Sequence, residues 1–486
     1  MTFTSLTFLL FLGAVFALYW RLEQRRSQNV LVIVASYVFY GWWDYRFLAL
    51  ILLSSLVDYG VGRALTRTQG PKARRAWLGL SVIFNLGMLG FFKYFNFFAE
   101  SLQHTAGALG WSIDNVTLKV VLPVGISFYT FQTLGYTIDV YRRHSVASRS
   151  LVDYLAYVAF FPQLVAGPIE RAERLLHQFE SPRRFDATLA VEGCRQMLWG
   201  FFKKMVIADN LGPIVDRAYA APGEIGGPTL ALATVCFAFQ IYCDFSAYSD
   251  IAIGTAKLLG IRLMRNFAYP YFSQSIGEFW RRWHISLSTW FRDYLLIPLS
   301  SGRMTRLRRS FHVLLTFLAC GLWHGAAWTY VVWGGAHGVG VVPDTLRPRR
   351  RNLGPHDTPG GNGALPSLGA LGRMLLTFTL LCLSFVLFRA ESFPEAIQIL
   401  HKVTIGLFSP PGWVELRELI GENDVATALL VVVAFVIIEW VQRRQHHALE
   451  RLPGSRSLRW ALYTAMIWIS LSYGTHSNAP FIYFQF

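Results

Sequence analysis

Long apolar runs recur along the whole 486-residue chain, and they constrain its fold more than any other feature. About twelve of them approach the ~20 residues that an α-helix needs to cross the core of a bilayer. Only 15% of the residues are charged, against roughly a quarter in soluble domains. An α-helix satisfies its own backbone polar groups, as lipid requires. The sequence therefore predicts an all-α polytopic membrane protein, organised as a single membrane domain over residues 1–486.

Charged loops between the runs indicate how the chain crosses the membrane. The runs lie near residues 3–20, 29–42, 47–62, 77–98, 119–138, 151–167, 194–208, 229–257, 311–342, 371–389, 426–441 and 460–474. Loops 21–29, 63–76 and 140–150 are rich in Lys and Arg, and segment 442–459 has five Arg and one Glu. The positive-inside rule assigns these loops to the cytoplasm and both termini to the opposite side. Topology thus explains most of the formal charge of +16, and no nucleic-acid partner is expected.

Other sequence features exclude several classes of protein. The first run lacks a basic n-region and a cleavage site, so we interpret it as a retained helix. The five cysteines are odd in number, lie in apolar stretches and form no CxxC pair, so no disulfide framework or zinc site is expected. The GxSxG, GxxxxGK[ST], HExxH and GxGxxG patterns are absent. We predict no metal and no bound cofactor.

The run 311–342 is too long for one span, and glycines interrupt it. It predicts two short helices or a re-entrant dip, beside a pocket at His324. Burial disfavours a charged ring, which leaves a neutral imidazole able to accept a proton as a general base. A structural histidine is the alternative, for His324 and for His337 alike. Trp323 flanks His324 and is a candidate substrate contact.

Cys320 precedes His324 by four residues, so the two side chains would be neighbours in a regular helix. Such a pair could form an acyl-thioester intermediate. Buried cysteine is more often a small apolar residue, and Gly321 interrupts the pattern here. A covalent cysteine is therefore the less favoured alternative.

Segment 275–300 has the pattern of an amphipathic helix on the cytoplasmic membrane surface. Arg281 and Arg282 fall mostly off its apolar face, and His284 lies on the same segment. The arginines are expected to meet lipid phosphates. A basic rim that guides an anionic acyl donor is the second interpretation.

Asp244 and Asp250 interrupt an apolar run, where each charge would cost roughly 3 kcal/mol to insert. Six residues of helix turn through about 600°, so the two carboxylates do not share a face. Pairing with a buried Lys, Arg or His is the favoured interpretation, with substrate contact second. Segment 343–369, rich in Pro, Gly and Arg, is predicted to be a flexible cytoplasmic linker.

Several long motifs resemble those of the membrane-bound O-acyltransferase family, in particular its bacterial branch that modifies alginate and other exported polysaccharides. They are VASYVFYGWW at 34–43, LPVGISFYTFQTLGYTIDVYR at 122–142, FFPQLVAGPIER at 160–171, YCDFSAYSDIAIG at 242–254, NFAYPYFSQSIGEFWRRWHISLSTWFRDYLLIPL at 266–299, GLWHGAAW at 321–328 and the terminal FIYFQF. The matches follow the family's order nearly from end to end.

The resemblance implies a bundle of many helices around a central tunnel, with His324 catalytic and His284 as the second family histidine. It implies an acetyl donor on the cytoplasmic side, acetyl-CoA or another acyl thioester. The acetyl group would cross the inner membrane to a periplasmic acetyltransferase partner, which would acetylate the exported polysaccharide. Both termini would then be periplasmic.

Alternative functions stay open at this point. Related branches of the family serve peptidoglycan O-acetylation and teichoic-acid D-alanylation. A non-enzymatic transporter or flippase would use His324, Asp244 and Asp250 to relay protons or bind cargo. A structural scaffold would tolerate the loss of His324.

Overall fold

A computed structural model describes residues 1–112, 117–302, 304–346, 358–361, 363–452, 454–475 and 481–482. Helices joined by turns and loops make up the described residues, and no strand occurs among them. Five helical stretches among them are long and apolar enough to cross a membrane: Arg25–Arg67, Pro71–Ala108, Gly227–Leu258, Leu368–Arg389 and Asn423–Gln442. The predicted all-α polytopic membrane fold is confirmed.

Contacts divide the chain into two compact units. Unit 1 comprises Met1–Val191 and Thr255–Met264, and unit 2 comprises Glu192–Gly254 and Arg265–Phe486. The prediction of a single membrane domain stays a prediction. Residues 347–357 and 362, part of the predicted linker 343–369, lie outside the described residues.

Unit 1 contains the first nine helices. They are α1 (Leu6–Arg21), α2 (Arg25–Asp44), α3 (Leu48–Arg67), α4 (Pro71–Leu89), α5 (Phe95–Ala108), α6 (Ile126–Arg142), α7 (Leu151–Ala159), α8 (Phe161–Leu164) and α9 (Ala172–Glu180). The two 20-residue helices α2 and α3 are each about 30 Å long, enough to cross a bilayer core.

A buried polar cluster joins three helices of unit 1. Asp58 on α3 accepts hydrogen bonds from Ser81 and Asn85 on α4 and from Thr137 on α6. All four side chains are buried. Because polar groups in lipid find partners only in the protein, this cluster fixes how the three helices pack.

Unit 2 contains most of the later helices, and α10 (Ala187–Phe202) leads into it. The others are α11 (Asp209–Ala220), α12 (Gly227–Leu258), α13 (Ile276–Arg282), α14 (Ile285–Phe291), α15 (Ile297–Leu299), α16 (Arg306–His324), α17 (Trp328–Leu346), α18 (Leu368–Arg389), α19 (Phe393–Thr404), α20 (Pro410–Gly421), α21 (Asn423–Gln442) and α22 (Arg456–Ser472). The end of α12 belongs to unit 1.

Residues 311–342 form parts of α16 and α17, so of the two alternatives the run is divided into two helices. Each helix has 19 residues, longer than the short helices expected, and Gly321 does not break α16. The two helices pack in close contact through glycine. A Cβ at Gly321 would overlap the Tyr330 carbonyl oxygen, and one at Gly334 would overlap that of Phe317. Small residues allow this approach because packing contacts, rather than the hydrophobic effect, hold helices together in lipid.

The prediction of one continuous helix over 275–300 is wrong. The chain breaks between α13 and α14 at His284, whose φ of 43° lies in the left-handed region. A π-helical stretch, Arg292–Leu296, follows α14. Most of the apolar face is buried inside unit 2, including Phe279, Trp283 and Leu287. The cytoplasmic surface position of the segment stays a prediction.

Two adjacent lysines pair with the intramembrane aspartates of α12. Lys204 lies 2.7 Å from both Asp244 and Asp209, and Lys203 lies 2.6 Å from Asp250. Both lysines belong to a π-helical stretch, Lys203–Ala208, between α10 and α11. The prediction that Asp244 and Asp250 pair with a buried Lys, Arg or His is confirmed, and in both cases the partner is a lysine.

We expect Gly334→Ala to destabilise the protein by roughly 1–3 kcal/mol, because the new methyl group meets the backbone of α16. The measurement is the apparent melting temperature of the detergent-solubilised protein. Gly335→Ala is the matched control, since its nearest neighbour is a flexible Leu318 side-chain atom at 3.3 Å. Equal melting temperatures for the two variants would contradict the packing argument.

We expect Lys204→Met to lower stability by about 3–5 kcal/mol, because it leaves the buried Asp244 and Asp209 without their cation. The comparison variant is Arg217→Ala, which removes an exposed ion pair with Glu422 and should change little. Melting temperatures of both proteins in one detergent give the measurement. An equal shift for the two variants would argue against a buried charge pair at Lys204.

Candidate active site

The histidine that ends α16 lies among aromatic rings. His324 is 4% exposed, and its ring centroid is 5.0 Å from that of Trp323, 5.1 Å from Trp333 and 5.7 Å from Phe388. These rings come from α16, α17 and α18. The environment excludes bulk water and favours a neutral imidazole.

The second candidate histidine lies beside the first. The ring centroids of His284 and His324 are 6.5 Å apart, with 72° between the ring planes. Trp323 contacts both, at 5.9 Å from His284 and 5.0 Å from His324. The two histidines are 40 residues apart in the sequence, His284 immediately before α14 and His324 at the end of α16, so tertiary structure brings them together.

Asn266 holds the backbone at the start of α14. Its carbonyl oxygen accepts the Ile285 N–H at 2.9 Å, and its side-chain Oδ1 accepts the Ser286 N–H at 3.2 Å. The first N–H groups of a helix have no partner within the helix, so Asn266 caps α14 from outside. This capping stabilises the left-handed conformation of His284 immediately before the helix.

The same Asn266 fixes the tautomer of His284. A backbone N–H can only donate, so the atom that receives the Ser286 N–H must be the amide oxygen. His284 Nδ1 lies 3.2 Å from that oxygen and must therefore carry a proton. In a neutral ring the basic atom is then Nε2. The buried His284 is thus held as an Nδ1–H imidazole.

His337 has a different, closed set of partners. The Trp280 Nε1–H donates to His337 Nδ1 at 3.1 Å, so the proton of a neutral ring is on Nε2. That nitrogen lies 3.0 Å from the Ser384 hydroxyl, which itself donates to the Leu381 carbonyl. Both ring nitrogens are used within the protein, which supports the structural interpretation of His337.

A narrow, partly enclosed cleft lies next to His284. Its empty volume, including the part open to solvent, is about 350 Å³. The residues that line it include Lys203, Asp250, Arg265, Asn266, Phe267, Glu439, His446 and His447. Two of them contact His284: Asn266 through its hydrogen bond and Phe267 by stacking at 6.5 Å. The cleft therefore reaches the wall of the histidine pocket.

The two candidate arginines differ. Arg281 is exposed, whereas Arg282 is 1% exposed and pairs with Glu278 at 2.9 Å. The backbone of Arg282 also accepts the Ala268 N–H. The assignment of Arg282 to an exposed basic rim or lipid anchor is therefore wrong, because the residue holds α13 against the preceding loop.

The remaining candidates divide between the cleft and the helix packing. Asp250 lines the cleft, whereas Asp244 is enclosed by Lys204 and by the Ile482 N–H at 2.8 Å. Cys320 is buried one turn before His324 on the regular helix α16. The covalent-cysteine alternative stays a prediction.

Two residues of the site were missed by the sequence analysis. Asn266 stands in a quoted motif without an assigned role, and Trp333 was one aromatic residue among many. An asparagine in an apolar context is a weak signal, and no spacing rule connects it with His284. Only the folded chain identifies its partners.

Known proteins resemble this chain along most of its length. Residues 91–351 match the profile of the membrane-bound O-acyltransferase family. A probable alginate O-acetylase of Azotobacter vinelandii is 39% identical, with 92% of this chain and 86% of the relative covered. A peptidoglycan O-acetyltransferase of Helicobacter pylori is 32% identical, covering 77% and 73%, and a teichoic acid D-alanyltransferase of Streptococcus thermophilus is 30% identical, covering 56% and 70%. The chain therefore belongs to the membrane-bound O-acyltransferase family and is an O-acyltransferase.

Proposed function

We propose that this enzyme takes an acetyl group from cytoplasmic acetyl-CoA and passes it across the inner membrane for O-acetylation of an exported polysaccharide. An alginate-type polymer is favoured, because the probable alginate O-acetylases combine 38–40% identity with up to full coverage of this chain. A periplasmic acetyltransferase partner completes the transfer. The observation that carries the proposal is the pair of buried histidines, 6.5 Å apart, in one aromatic pocket.

His324 acts as the general base. As the acceptor oxygen bonds to the thioester carbonyl carbon, the neutral imidazole takes the proton of the hydroxyl group. The carbon–sulfur bond then breaks, and the leaving thiolate recovers the proton from the imidazolium. The surrounding rings favour this chemistry because they exclude water that would hydrolyse the thioester.

His284 positions the donor or assists the transfer. Its Nδ1–H is held by Asn266, which fixes the orientation of the ring and the position of the basic Nε2. Trp323, in contact with both histidines, forms part of the wall against which the acyl group packs.

The cleft beside His284 is the proposed entrance for the donor. Its lining includes His446 and His447 of segment 442–459, which charge patterning assigns to the cytoplasmic side. Arg265, His446 and His447 supply cationic or protonatable groups for an anionic donor. The exposed Arg281 is a further candidate for this contact.

Other acceptors of the same chemistry remain as alternatives. The peptidoglycan O-acetyltransferase and teichoic acid D-alanyltransferase relatives suggest a cell-wall polymer in place of an exopolysaccharide. A transporter or flippase is less favoured, because Asp244 and Asp250 are engaged by lysines. A flippase would move intact cargo and consume no acyl donor.

We expect His324→Ala to reduce acyl transfer by roughly 10²–10⁴-fold, as general-base removal typically does. The measurement is the O-acetyl content of exported polysaccharide and of peptidoglycan from the same cells, which also separates the two acceptors. His401→Ala, at an exposed histidine of α19, is the control for equal membrane levels. Unchanged acetylation in the His324→Ala variant would show that His324 is not the general base and has only a structural role.

We expect Asn266→Ala to lower kcat by roughly 100-fold with little change in KM for acetyl-CoA, because His284 loses its orientation. Asn266→Asp keeps an oxygen acceptor and should recover part of the rate. Thiol release from acetyl-CoA by the purified enzyme, with an alginate-type oligosaccharide present as the hydroxyl acceptor, measures both constants. If the alanine and aspartate variants lose activity equally, the positioning role of Asn266 is not supported.

A further inference from the structure

One buried hydrogen-bond donor beside His324 has no partner among the described residues. The Nε1–H of Trp333 makes no hydrogen bond there, although the side chain is only 2% exposed. Most buried polar groups in folded proteins are hydrogen-bonded, so each exception requires an explanation. This exception is 5.1 Å, ring to ring, from the proposed general base.

Three aromatic neighbours of Trp333 do not accept that proton. His337, at 4.7 Å between ring centroids, accepts the Trp280 N–H on Nδ1 and faces the Ser384 hydroxyl with Nε2. Trp280 and Phe388 pack against Trp333 at 5.8 and 5.2 Å, and neither side chain carries an acceptor. The closed set of hydrogen bonds around His337 thus excludes the Trp333 N–H.

Packing also keeps Trp333 from turning away. Rings on α13, α16, α17 and α18 surround it, and the adjacent Gly334 lies in close contact with α16. A large side chain in such a cage has one orientation, because interiors are closely packed. The donor is therefore fixed in place before any substrate binds.

We propose that the indole N–H of Trp333 donates a hydrogen bond to the acyl oxygen of the thioester and stabilises the negative charge that develops there. The inference rests on the proposed function of the pocket. When the acceptor oxygen bonds to the carbonyl carbon, the carbonyl π electrons move to oxygen, while His324 holds the proton of the hydroxyl group. Collapse of this oxyanion restores the carbonyl and expels the thiolate.

A fixed donor suits this role for a physical reason. A preorganised hydrogen bond in a water-excluded site stabilises developing charge without reorganising during the reaction. His324 then acts as the general base that takes the proton, and Trp333 stabilises the negative charge on the acyl oxygen. Trp333 is thereby a catalytic residue, whereas His337 and Trp280 hold its surroundings.

The test replaces the N–H group while keeping the ring. Trp333 is exchanged for β-(3-benzothienyl)alanine, in which sulfur stands where the indole has N–H, and Trp333→Phe serves as the genetically simple variant. Thiol release from acetyl-CoA by the full-length detergent-solubilised enzyme, with an alginate-type oligosaccharide present as the hydroxyl acceptor, gives kcat and KM. We expect kcat to fall by roughly 100-fold with KM nearly unchanged, as for loss of one oxyanion donor.

Trp440 provides the matched control, because its indole N–H donates to the Ala364 carbonyl at 2.7 Å, outside the histidine pocket. The same benzothienyl exchange at Trp440 should leave kcat unchanged at an equal melting temperature. An unchanged kcat for the Trp333 isostere would overturn the proposal. The indole N–H would then have no role in catalysis and would donate to a bound water molecule instead. If His324→Ala also leaves thiol release unchanged, the proposed function fails instead, so the two failures are distinguishable.

Discussion

The close packing of α16 against α17 is the contact on which the active site depends. Gly321 and Gly334 let the two backbones approach, since any side chain there would meet a carbonyl oxygen of the other helix. The turn between the helices then begins directly after His324. Gly325 contributes in the same way, because a Cβ at this position would overlap the Tyr330 ring. In lipid, where apolar burial does not drive helices together, such contacts supply the attraction.

Three buried histidines of unit 2 illustrate how surroundings separate roles. His337 is enclosed by partners on both nitrogens and belongs to the scaffold. His284 is held on Nδ1 by Asn266, which leaves the basic nitrogen of a neutral ring in a defined place. His324 is surrounded mainly by rings, the environment in which a neutral base is most easily kept.

The buried charges of α12 also differ in their surroundings. Asp244 and Asp250 lie six residues apart on α12, and adjacent lysines of one π-helical stretch reach both. A regular α-helix would turn Lys203 and Lys204 about 100° apart. Here the two lysines lie in a wider π-helical turn, and each contacts a different aspartate of α12. Such turns are frequent at functional sites. Asp250 and Lys203 also line the cleft beside His284. This ion pair therefore both stabilises the helix packing and forms part of the proposed donor entrance.

The amino-acid sequence alone determined the class of fold, the break near His324 and the need of the α12 aspartates for a cationic partner, because apolar run length, glycine and buried charge are local signals. Which lysine pairs with which aspartate was decided by the fold. It also located both histidines by motif. The break at His284, the burial of Arg282 and the roles of Asn266 and Trp333 were decided only by the tertiary structure. Each depends on partners far away in the chain: Asn266 caps a helix that begins 19 residues later, and Trp333 is enclosed by rings from four helices. Periodicity records which face of a helix is apolar, but not which polar atoms meet across the fold.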